Sequence, residues 1–214
     1  MSKTKAKPIR RPGDTRERLI QAGTELIWEF GYNDVSIDDI LARADALKGS
    51  FYHFFSSKQD FLVACLDAYW GEMRADLQRA YDEAANPAEA IDRHMRWFVT
   101  DQEALVQRFG RVLGGFHQSV GAEAYHLPNV AEKFEEQSRE HSDLVMGALV
   151  KMRDGGEIES VDSLFAVIGY CIDGALYRGR LMNTLAPIRG LPDLVASMLS
   201  ASIALTRARR ALEI

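Results

Sequence analysis

Residues 36–58 read SIDDILARADALKGSFYHFFSSK, and the interpretation of the whole chain starts from this stretch. Ser36 begins a short helix with two aspartates in its first turn, where the positive end of the helix dipole favours acids. Its apolar residues share one face: Ile37, Ile40, Leu41 and Ala44. A bend at Asp45 and Ala46 leads to a second short helix, from about Leu47 to Phe54. These two helices are too short to bury their own apolar faces, so another helix must pack against them.

A longer amphipathic helix precedes the stretch and can supply that surface. Its apolar residues recur at helical spacing and form one stripe: Leu19, Ala22, Gly23, Leu26, Ile27 and Phe30. Asp14 or Thr15 can cap its start, and Gly31 ends it where a left-handed residue is needed. After the stretch, Ser57 with Asp60 forms a capping-box pattern that opens a long helix. This order of helices predicts a helix-turn-helix domain.

In a helix-turn-helix the second short helix enters the major groove of DNA, and its first residues face base edges. The candidate DNA-contacting residues lie on this helix or at the starts of its neighbours: Ser36, Lys48, Ser50, Phe51, Tyr52, His53 and Lys58. Lys48 and Ser50 can donate to base acceptors or phosphates. Phe51 or His53 can reach a thymine methyl group or a base edge.

Three further features of the second short helix fit the same use. Gly49 lets the backbone approach the duplex closely. The Tyr52 hydroxyl suits a phosphate oxygen, and Lys58 adds charge at a helix start where anions are already favoured. In other settings such a lysine is only a solvated charge. Phe54 and Phe55 are expected in the core of the domain rather than on DNA.

The segment from about Thr15 to Leu66 closely resembles the DNA-binding domain of the TetR family of bacterial repressors. The family pattern is Ile-Ala-x-x-Ala-Gly-Val-Ser-x-Gly-x-x-Tyr-x-x-Phe followed by a Lys-led helix. The matching residues here are Ile40, Leu41, Ala44, Asp45, Ala46, Leu47, Gly49, Tyr52, Phe55 and Lys58. Leu41 replaces the usual Ala, Asp45 replaces a Gly, and Leu47 replaces the Ser or Thr that would cap the third helix. Asp tolerates the left-handed conformation, so the turn is expected to survive.

The resemblance also assigns roles to individual residues. Tyr52 and Lys58 match contacts of the family with the DNA backbone, and Lys48, Ser50 and His53 match base-facing positions. It further implies that the last two helices of each subunit form a four-helix bundle across a two-fold axis, and that the middle helices hold an effector.

The composition is that of an ordinary soluble protein; the negative net charge would argue against nucleic acid, but the distribution of charge along the chain matters more than its sum. The chain has 214 residues, of which 47% are hydrophobic and 27% charged, and a net charge of −5. Residues 1–13 form a basic arm, expected to be flexible, whose positive residues precede the first acid: Lys3, Lys5, Lys7, Arg10 and Arg11. Such an arm is either a groove or phosphate contact or merely solvated. No signal-peptide core or apolar run of spanning length is evident, so a cytoplasmic protein with no membrane partner is expected. The two cysteines are expected to be packing thiols.

The C-terminal part of the chain predicts further helices and a dimer. A helix from about Glu103 to Val120 is interrupted by glycines, and two later helices run from about Val161 to Met182 and from about Pro192 to Leu212. A stripe of small residues allows close helix packing, and the candidate dimer interface is Cys171, Ala175, Gly179, Leu199 and Ile203. Packing within one chain is the competing explanation for the stripe. A dimer also makes sense because one short reader helix gives too little base contact for specificity.

Candidate residues for the effector pocket form an aromatic set with few polar groups: Trp97, Phe98, Phe109, Arg111, Phe116, His117, Tyr125 and Tyr177. Such sets are more often plain core. Residues 110–120 resemble, more loosely, a branch of the family that senses electrophiles through a cysteine. Arg111 occupies that position, so a thiol switch is not expected, and Arg111 is instead a candidate for contact with an anionic effector.

Catalysis is not expected. Glu123-x-x-His126 has the spacing of half a di-iron site, but it does not recur and Pro128 follows. The sequence contains no His-Glu-x-x-His, phosphate-binding glycine loop or nucleophile elbow, so no enzyme activity, metal or cofactor is predicted.

The sequence therefore predicts an all-α protein of about nine helices with three parts: the arm 1–13, a helix-turn-helix domain 14–56, and an effector-binding and dimerisation domain 57–214. Its expected function is a ligand-responsive repressor that binds an inverted-repeat operator as a homodimer. The alternative is a ligand-binding or protein-interaction helical bundle that does not use DNA.

Overall fold

The fold was obtained as a computed structural model that describes residues 12–113, 116–120 and 126–212, with side chains from Thr15 onward and excluding those of residues 117 and 118. This part of the chain forms ten helices: α1 (Pro12–Phe30), α2 (Ile37–Ala44), α3 (Lys48–Phe54), α4 (Lys58–Asp82), α5 (Pro87–Phe109), α6 (Phe116–Val120), α7 (Pro128–Asp154), α8 (Val161–Met182), α9 (Ala186–Arg189) and α10 (Leu191–Leu212). The protein is therefore all-α, as predicted. The basic arm before Pro12 and the side chains of His117 and Tyr125 lie outside the described residues.

Most helix boundaries follow the sequence signals, with two exceptions. Helix α1 begins at Pro12, so Asp14 and Thr15 lie within its first turn and do not precede it as caps. Asn86 caps α5 by accepting a hydrogen bond from the Glu89 backbone, and Pro87 occupies the first turn. The prediction of a separate glycine-interrupted helix from about Glu103 was wrong, because α5 continues without a break to Phe109. It ends at Gly110, whose φ of +72° is a left-handed conformation that favours glycine. The short helix α9 was not predicted.

The chain divides into two compact units: residues 1–69 with 119–133, and residues 70–118 with 134–214. The first unit thus extends into α4 as far as Tyr69, rather than ending before that helix. Each unit has its own apolar core.

Phenylalanines hold together the core of the first unit. Phe51, Phe55 and Phe61 are buried, and their ring centroids lie 4.9–5.4 Å apart. A Cβ at Gly23 on α1 would lie 2.3 Å from the Phe61 ring, so only glycine allows this approach. Helix α1 thus packs closely against α4, and it also contacts both short helices, as the sequence required.

Two apolar clusters form the core of the second unit. The first joins α5, α7, α8 and α10 and includes Ile91, Met95, Leu149, Met152, Ile168, Val195 and Leu199. The second joins α5, α8, α9 and the start of α10 with the segment after α5 and includes Phe98, Val112, Ala175, Leu176, Ile188 and Leu191. Burying these side chains is the main stabilising contribution to this unit.

The C-terminal segment contains a long apolar stretch in addition to its charged residues. Within the described residues, the stretch Ala186–Leu212 is long and apolar enough to cross a membrane by length and composition, with a mean hydropathy of 1.3. The expectation that no segment reaches this length holds only for runs without charged residues. Only 28% of the apolar 18-residue segment within this stretch is buried, so α10 carries apolar side chains on an exposed face. A face of this kind also fits a helix that packs against a partner.

Candidate nucleic-acid interface

The turn between α2 and α3 has the geometry that the sequence predicted. The Ser36 hydroxyl accepts a hydrogen bond from the Asp39 backbone at 3.1 Å, and the Asp39 carboxylate accepts one from the Ser36 backbone at 2.8 Å. Asp45 ends α2 in the left-handed conformation, with φ 47° and ψ 55°. The side chain of Arg18 on α1 donates to the Ala44 carbonyl at 2.6 Å and holds this turn against the longer helix. The Ser36 hydroxyl also donates to the Asp39 carboxylate at 2.5 Å, so it can donate to DNA only by giving up that bond.

The start of α3 lacks a side-chain cap. Leu47 occupies the cap position with an apolar side chain that is 79% exposed. No side-chain cap therefore satisfies the backbone amides of the first turn, although the Ser50 amide donates to the Leu47 carbonyl at 2.9 Å.

The prediction that Phe51 reaches DNA was wrong. Its side chain is 0% exposed, and its ring lies 5.4 Å from Phe55 and 5.2 Å from Phe61. The reason is helical periodicity, because Phe51 lies on the face of α3 that must pack on α1, opposite the polar residues. Phe54 is partly exposed and Phe55 is buried.

The remaining candidates on α3 lie together on its outer side. Lys48, Tyr52 and His53 are exposed, and Ser50 is partly exposed. A Cβ built on Gly49 would meet no described atom within 4 Å, so nothing described in the chain requires a glycine there. The Lys48 ammonium lies 3.8 Å from Asp38, a weak ion pair between exposed side chains that leaves the lysine available.

Lys58 is placed differently from a surface lysine. Its ammonium donates to the Tyr32 carbonyl at 2.5 Å and lies 4.1 Å from the centroid of the Tyr32 ring. Burial lowers the pKa of Lys58, while Asp34 and Asp39 oppose that shift. An ammonium has three donors, so a phosphate contact is compatible with this bond.

A groove of about 650 Å³ lies beside α3 and was not predicted. It is lined by Thr15, Arg16, Glu17, Gly49, Ser50, His53 and Phe54. Arg16 stacks 5.7 Å from the Phe55 ring centroid and brings a positive charge to the same side as the polar residues of α3. The sequence feature that could have predicted this charge is Arg16, which directly follows the candidate cap Thr15. The prediction for this helix used only its apolar stripe.

The predicted dimer interface does not lie on an exposed face. Ala175, Gly179 and Leu199 are buried in the chain's own core, while Cys171 and Ile203 are half-buried and pack against the same clusters. A Cβ at Gly179 would lie 3.0 Å from Ile188 Cδ1. The stripe of small residues therefore lets α8 pack closely within one chain, which was the alternative explanation.

Another face of α8 is apolar and exposed. Tyr170, Tyr177 and Leu181 follow one another at helical spacing and are 73%, 65% and 71% exposed. A Cβ on Gly174 in the same stripe would meet no described atom within 4 Å. On α10, the exposed large apolar residues are Leu194, Leu205 and Leu212, which are 47%, 54% and 86% exposed. Tyr177, a candidate for the effector pocket, lies on this exposed face and is not one of the buried aromatic residues of the second unit.

The remaining pocket candidates do not form one group. Phe98 and Phe116 are buried, and Trp97 and Phe109 are half-buried. Arg111 is exposed, so it does not line a buried pocket. Among the described residues, no group of three or more His, Cys, Asp or Glu side chains could hold a metal ion.

Comparison with known proteins places the helix-turn-helix in a family. Residues 19–65 match the family model described as bacterial regulatory proteins, tetR family. The transcriptional regulator AcuR of Cereibacter sphaeroides is 35% identical over 107 residues, which cover 50% of this chain and 49% of that protein. The HTH-type transcriptional repressor DhaR of Mycobacterium sp. is 30% identical over 101 residues, covering 47% and 50%. The chain thus spans about half the length of the curated relatives it matches.

The structural likeness extends over most of the chain. A crystal structure of a regulatory protein TetR from Rhodobacter sphaeroides aligns with a TM-score of 0.67 and 26% sequence identity, covering 86% of this chain and 97% of that one. The family model matches residues 19–65 only, whereas this structural match covers 86% of the chain.

Proposed function

Because the chain belongs to the TetR family of bacterial regulatory proteins, we propose that it is a transcriptional repressor that binds an inverted-repeat DNA operator as a homodimer and is released by a small molecule. The single observation that carries this proposal is the outer side of α3. Lys48, Tyr52 and His53 are exposed there, while Phe51 on the opposite side anchors the helix in the core. A rigidly held helix with a polar, donor-rich outer face suits the major groove.

Charge around the reader helix supports the DNA partner. Lys48 on α3 and Arg16 beside the groove are exposed, and Lys58 lies at the start of α4. Lys58 and Tyr52 are the candidates for phosphate contacts, and Lys48, Ser50 and His53 are the candidates for base contacts. Phosphate contacts set affinity and its salt dependence, while base contacts set sequence preference.

The proposed dimer uses the exposed apolar face of α8 and α10. Soluble monomers rarely expose contiguous apolar stripes of this kind, and a second copy of the same face would cover it. A two-fold contact is self-complementary, so Tyr170, Tyr177 and Leu181 of one copy would meet the same surface of the other. Gly174, within the stripe, would allow two helices to cross closely. A two-fold pair of reader helices matches an inverted repeat.

Release by a small molecule requires a ligand that prefers one conformation. A ligand shifts the equilibrium between DNA-competent and DNA-incompetent forms only by its difference in affinity for the two. Helix α4 runs without a break from Lys58, at the reader helix, to Asp82, and so gives a continuous element along which such a shift can act. We place the effector in the second unit.

A binding titration with the DNA upstream of the protein's own gene tests the proposal. We expect tight binding to that DNA, at least about a hundredfold weaker binding to random DNA, and affinity that falls steeply as salt rises. Lys48→Ala should change base preference, whereas Tyr52→Phe should weaken binding to all sequences about equally. Binding that is neither sequence-selective nor salt-sensitive would contradict the proposal.

A further inference from the structure

Hydrogen-bonded side chains from three helices meet inside the second unit. The Tyr81 hydroxyl on α4 lies 3.0 Å from Nδ1 of His94 on α5. The Nε2 atom of His94 lies 2.9 Å from Nε2 of His141 on α7. None of these three residues belongs to the aromatic set predicted from the sequence. The two contacts form one hydrogen-bond chain, Tyr81–His94–His141, that links α4 to α7 through α5.

His94, in the middle of this hydrogen-bond chain, is neutral. His94 is 1% exposed, and burial together with the neighbouring His141 lowers its pKa to about 3. Each contact in the chain holds one proton, so the hydrogen bonds can all run from Tyr81 towards His141 or all run the other way. The chain can therefore adapt to a donor or an acceptor that is placed at either end.

Helix α7 carries, on the same face as this hydrogen-bond chain, a buried hydrogen-bond donor that has no acceptor among the described residues. Gln137 precedes His141 by four residues, so the two side chains lie on the same face of the helix. Gln137 is 9% exposed, and its Nε2 atom has no hydrogen-bond partner within the described part of the chain. Buried amide nitrogens almost always have an acceptor. The structure thus holds a donor that is ready for an acceptor from outside.

The surroundings decide what kind of molecule carries that acceptor. Phe98 lies one turn beyond His94, Phe134 lies about one turn before Gln137, and both are buried. The buried polar residues described in the second unit are His94, Gln102, Gln137 and Thr206, with no lysine or arginine among them. A buried anion would therefore lack a counter-charge, and its desolvation would oppose binding. The site favours a neutral, partly aromatic molecule.

We infer that the interior of the second unit binds an uncharged, partly aromatic molecule bearing a carbonyl-type oxygen, which accepts a hydrogen bond from Gln137 Nε2 beside the Tyr81–His94–His141 chain. This inference names the effector class for the proposed repressor and rests on that proposal for its regulatory meaning. The binding itself does not require DNA. This ligand differs from the anionic effector for which Arg111 was the candidate contact, because Arg111 lies at an exposed position.

Three small molecules of similar size test the inference by calorimetric titration of the full chain without DNA. Acetophenone has the ring and the carbonyl, ethylbenzene has the ring without an acceptor, and benzoate has the ring with a negative charge. We expect acetophenone to bind about tenfold more tightly than ethylbenzene, and benzoate to bind more weakly than either. No binding of acetophenone, equal affinities for acetophenone and ethylbenzene, or tightest binding of benzoate would overturn the inference.

Variants of one residue locate the contact. Gln137→Leu keeps the bulk and removes the donor, so acetophenone and ethylbenzene should then bind within about twofold of each other. Gln137→Met provides the same test if the leucine variant does not fold. Gln107→Leu, an exposed glutamine on α5, should keep the tenfold preference. A preference that survives both Gln137 changes would show that the carbonyl binds elsewhere and would overturn the assignment.

The two proposals fail separately. If the chain shows the acetophenone preference but no selective DNA binding, the ligand site stands and the repressor proposal fails. If it binds its upstream DNA selectively but shows no preference that depends on Gln137, the repressor proposal stands and the ligand assignment is overturned.

Discussion

Lys58 begins α4, and Tyr32 lies just after the end of α1. The ammonium of Lys58 lies 2.5 Å from the carbonyl oxygen of Tyr32. The same ammonium lies over the Tyr32 ring. A residue predicted as a phosphate contact is therefore also a brace that fixes the start of α4 to the loop after α1. Lys58 differs in this way from Lys48, which lies in solvent.

The two lysines should respond differently to loss of charge. Lys58→Met keeps most of the aliphatic stem but removes a charged hydrogen bond to a part-buried carbonyl, so the free energy of unfolding should fall by about 1–2 kcal/mol. Lys48→Met should leave it within about 0.5 kcal/mol. Denaturant titrations measure both. Both variants should also bind upstream DNA more weakly, and equal stability of the two would contradict the bracing role of Lys58.

Gly49 should separate folding from DNA binding. Alanine at this exposed helical position meets no described neighbour, so Gly49→Ala should raise the free energy of unfolding by about 0.5 kcal/mol. If the backbone of α3 approaches DNA closely, the same change should lower DNA affinity by about tenfold or more. Gly71→Ala on α4, also in open space, is the control and should leave DNA affinity unchanged. Unchanged DNA binding by Gly49→Ala would mean that the duplex does not approach there.

The apolar face of α8 should control the oligomeric state. Tyr177→Asp places a charge in the centre of the exposed stripe and should convert a dimer to a monomer in sedimentation experiments, without lowering helical content. Phe30→Asp is the matched control, because Phe30 is an exposed aromatic residue in the first unit, 59% exposed. A dimer that persists in Tyr177→Asp and dissociates in Phe30→Asp would contradict the proposed interface.

His94 should make stability depend on pH. Its pKa is about 3 in the folded chain and about 6.5 when unfolded, so between these values the unfolded state binds more protons. The stabilisation is complete above about pH 6.5 and is lost as pH falls towards 3, amounting to about 1–2 kcal/mol by pH 5. Denaturant titrations at pH 8 and pH 5 should show this loss in the wild type and a smaller loss in His94→Gln.

Two comparisons separate the contribution of His94 to the pH dependence of stability from those of other titratable groups. Burial raises the pKa of Asp101 to about 6, which stabilises the fold as pH falls and acts with the opposite sign in both proteins. The difference between wild type and His94→Gln cancels that contribution. His53→Gln on the outer side of α3 should retain the wild-type loss. If His94→Gln loses as much stability as the wild type, His94 is not the group that titrates.

The helix-turn-helix was predictable from sequence because its signals are local. The capping pattern at Ser36, the left-handed residue at Asp45 and the apolar spacing of α2 depend on neighbours within a few residues. Phe51 was misassigned because Phe51, Phe54 and Phe55 are all apolar and only packing on α1 decides which of them points inward. The placement of Lys58 against Tyr32 joins residues 26 positions apart, which no local pattern encodes.

The second unit was harder to predict because its decisive features depend on tertiary packing. The small residues of α8 fit a helix crossing within one chain or between chains, and only the position of Ile188 beside Gly179 distinguishes the two. The exposed stripe of Tyr170 and Tyr177 is on the same helix, yet sequence periodicity gives two apolar faces without saying which is covered. His94 and His141 are 47 residues apart, so their contact was not visible in sequence.

Hydroxyl-radical footprinting of the upstream DNA reports whether two reader helices act as a two-fold pair. We expect two protected patches on one side of the duplex, related by a two-fold axis and about one helical turn apart or a multiple of it. Tyr177→Asp should lose this paired protection at the same protein concentration. A single unpaired patch, or paired protection that persists in monomeric Tyr177→Asp, would contradict the account.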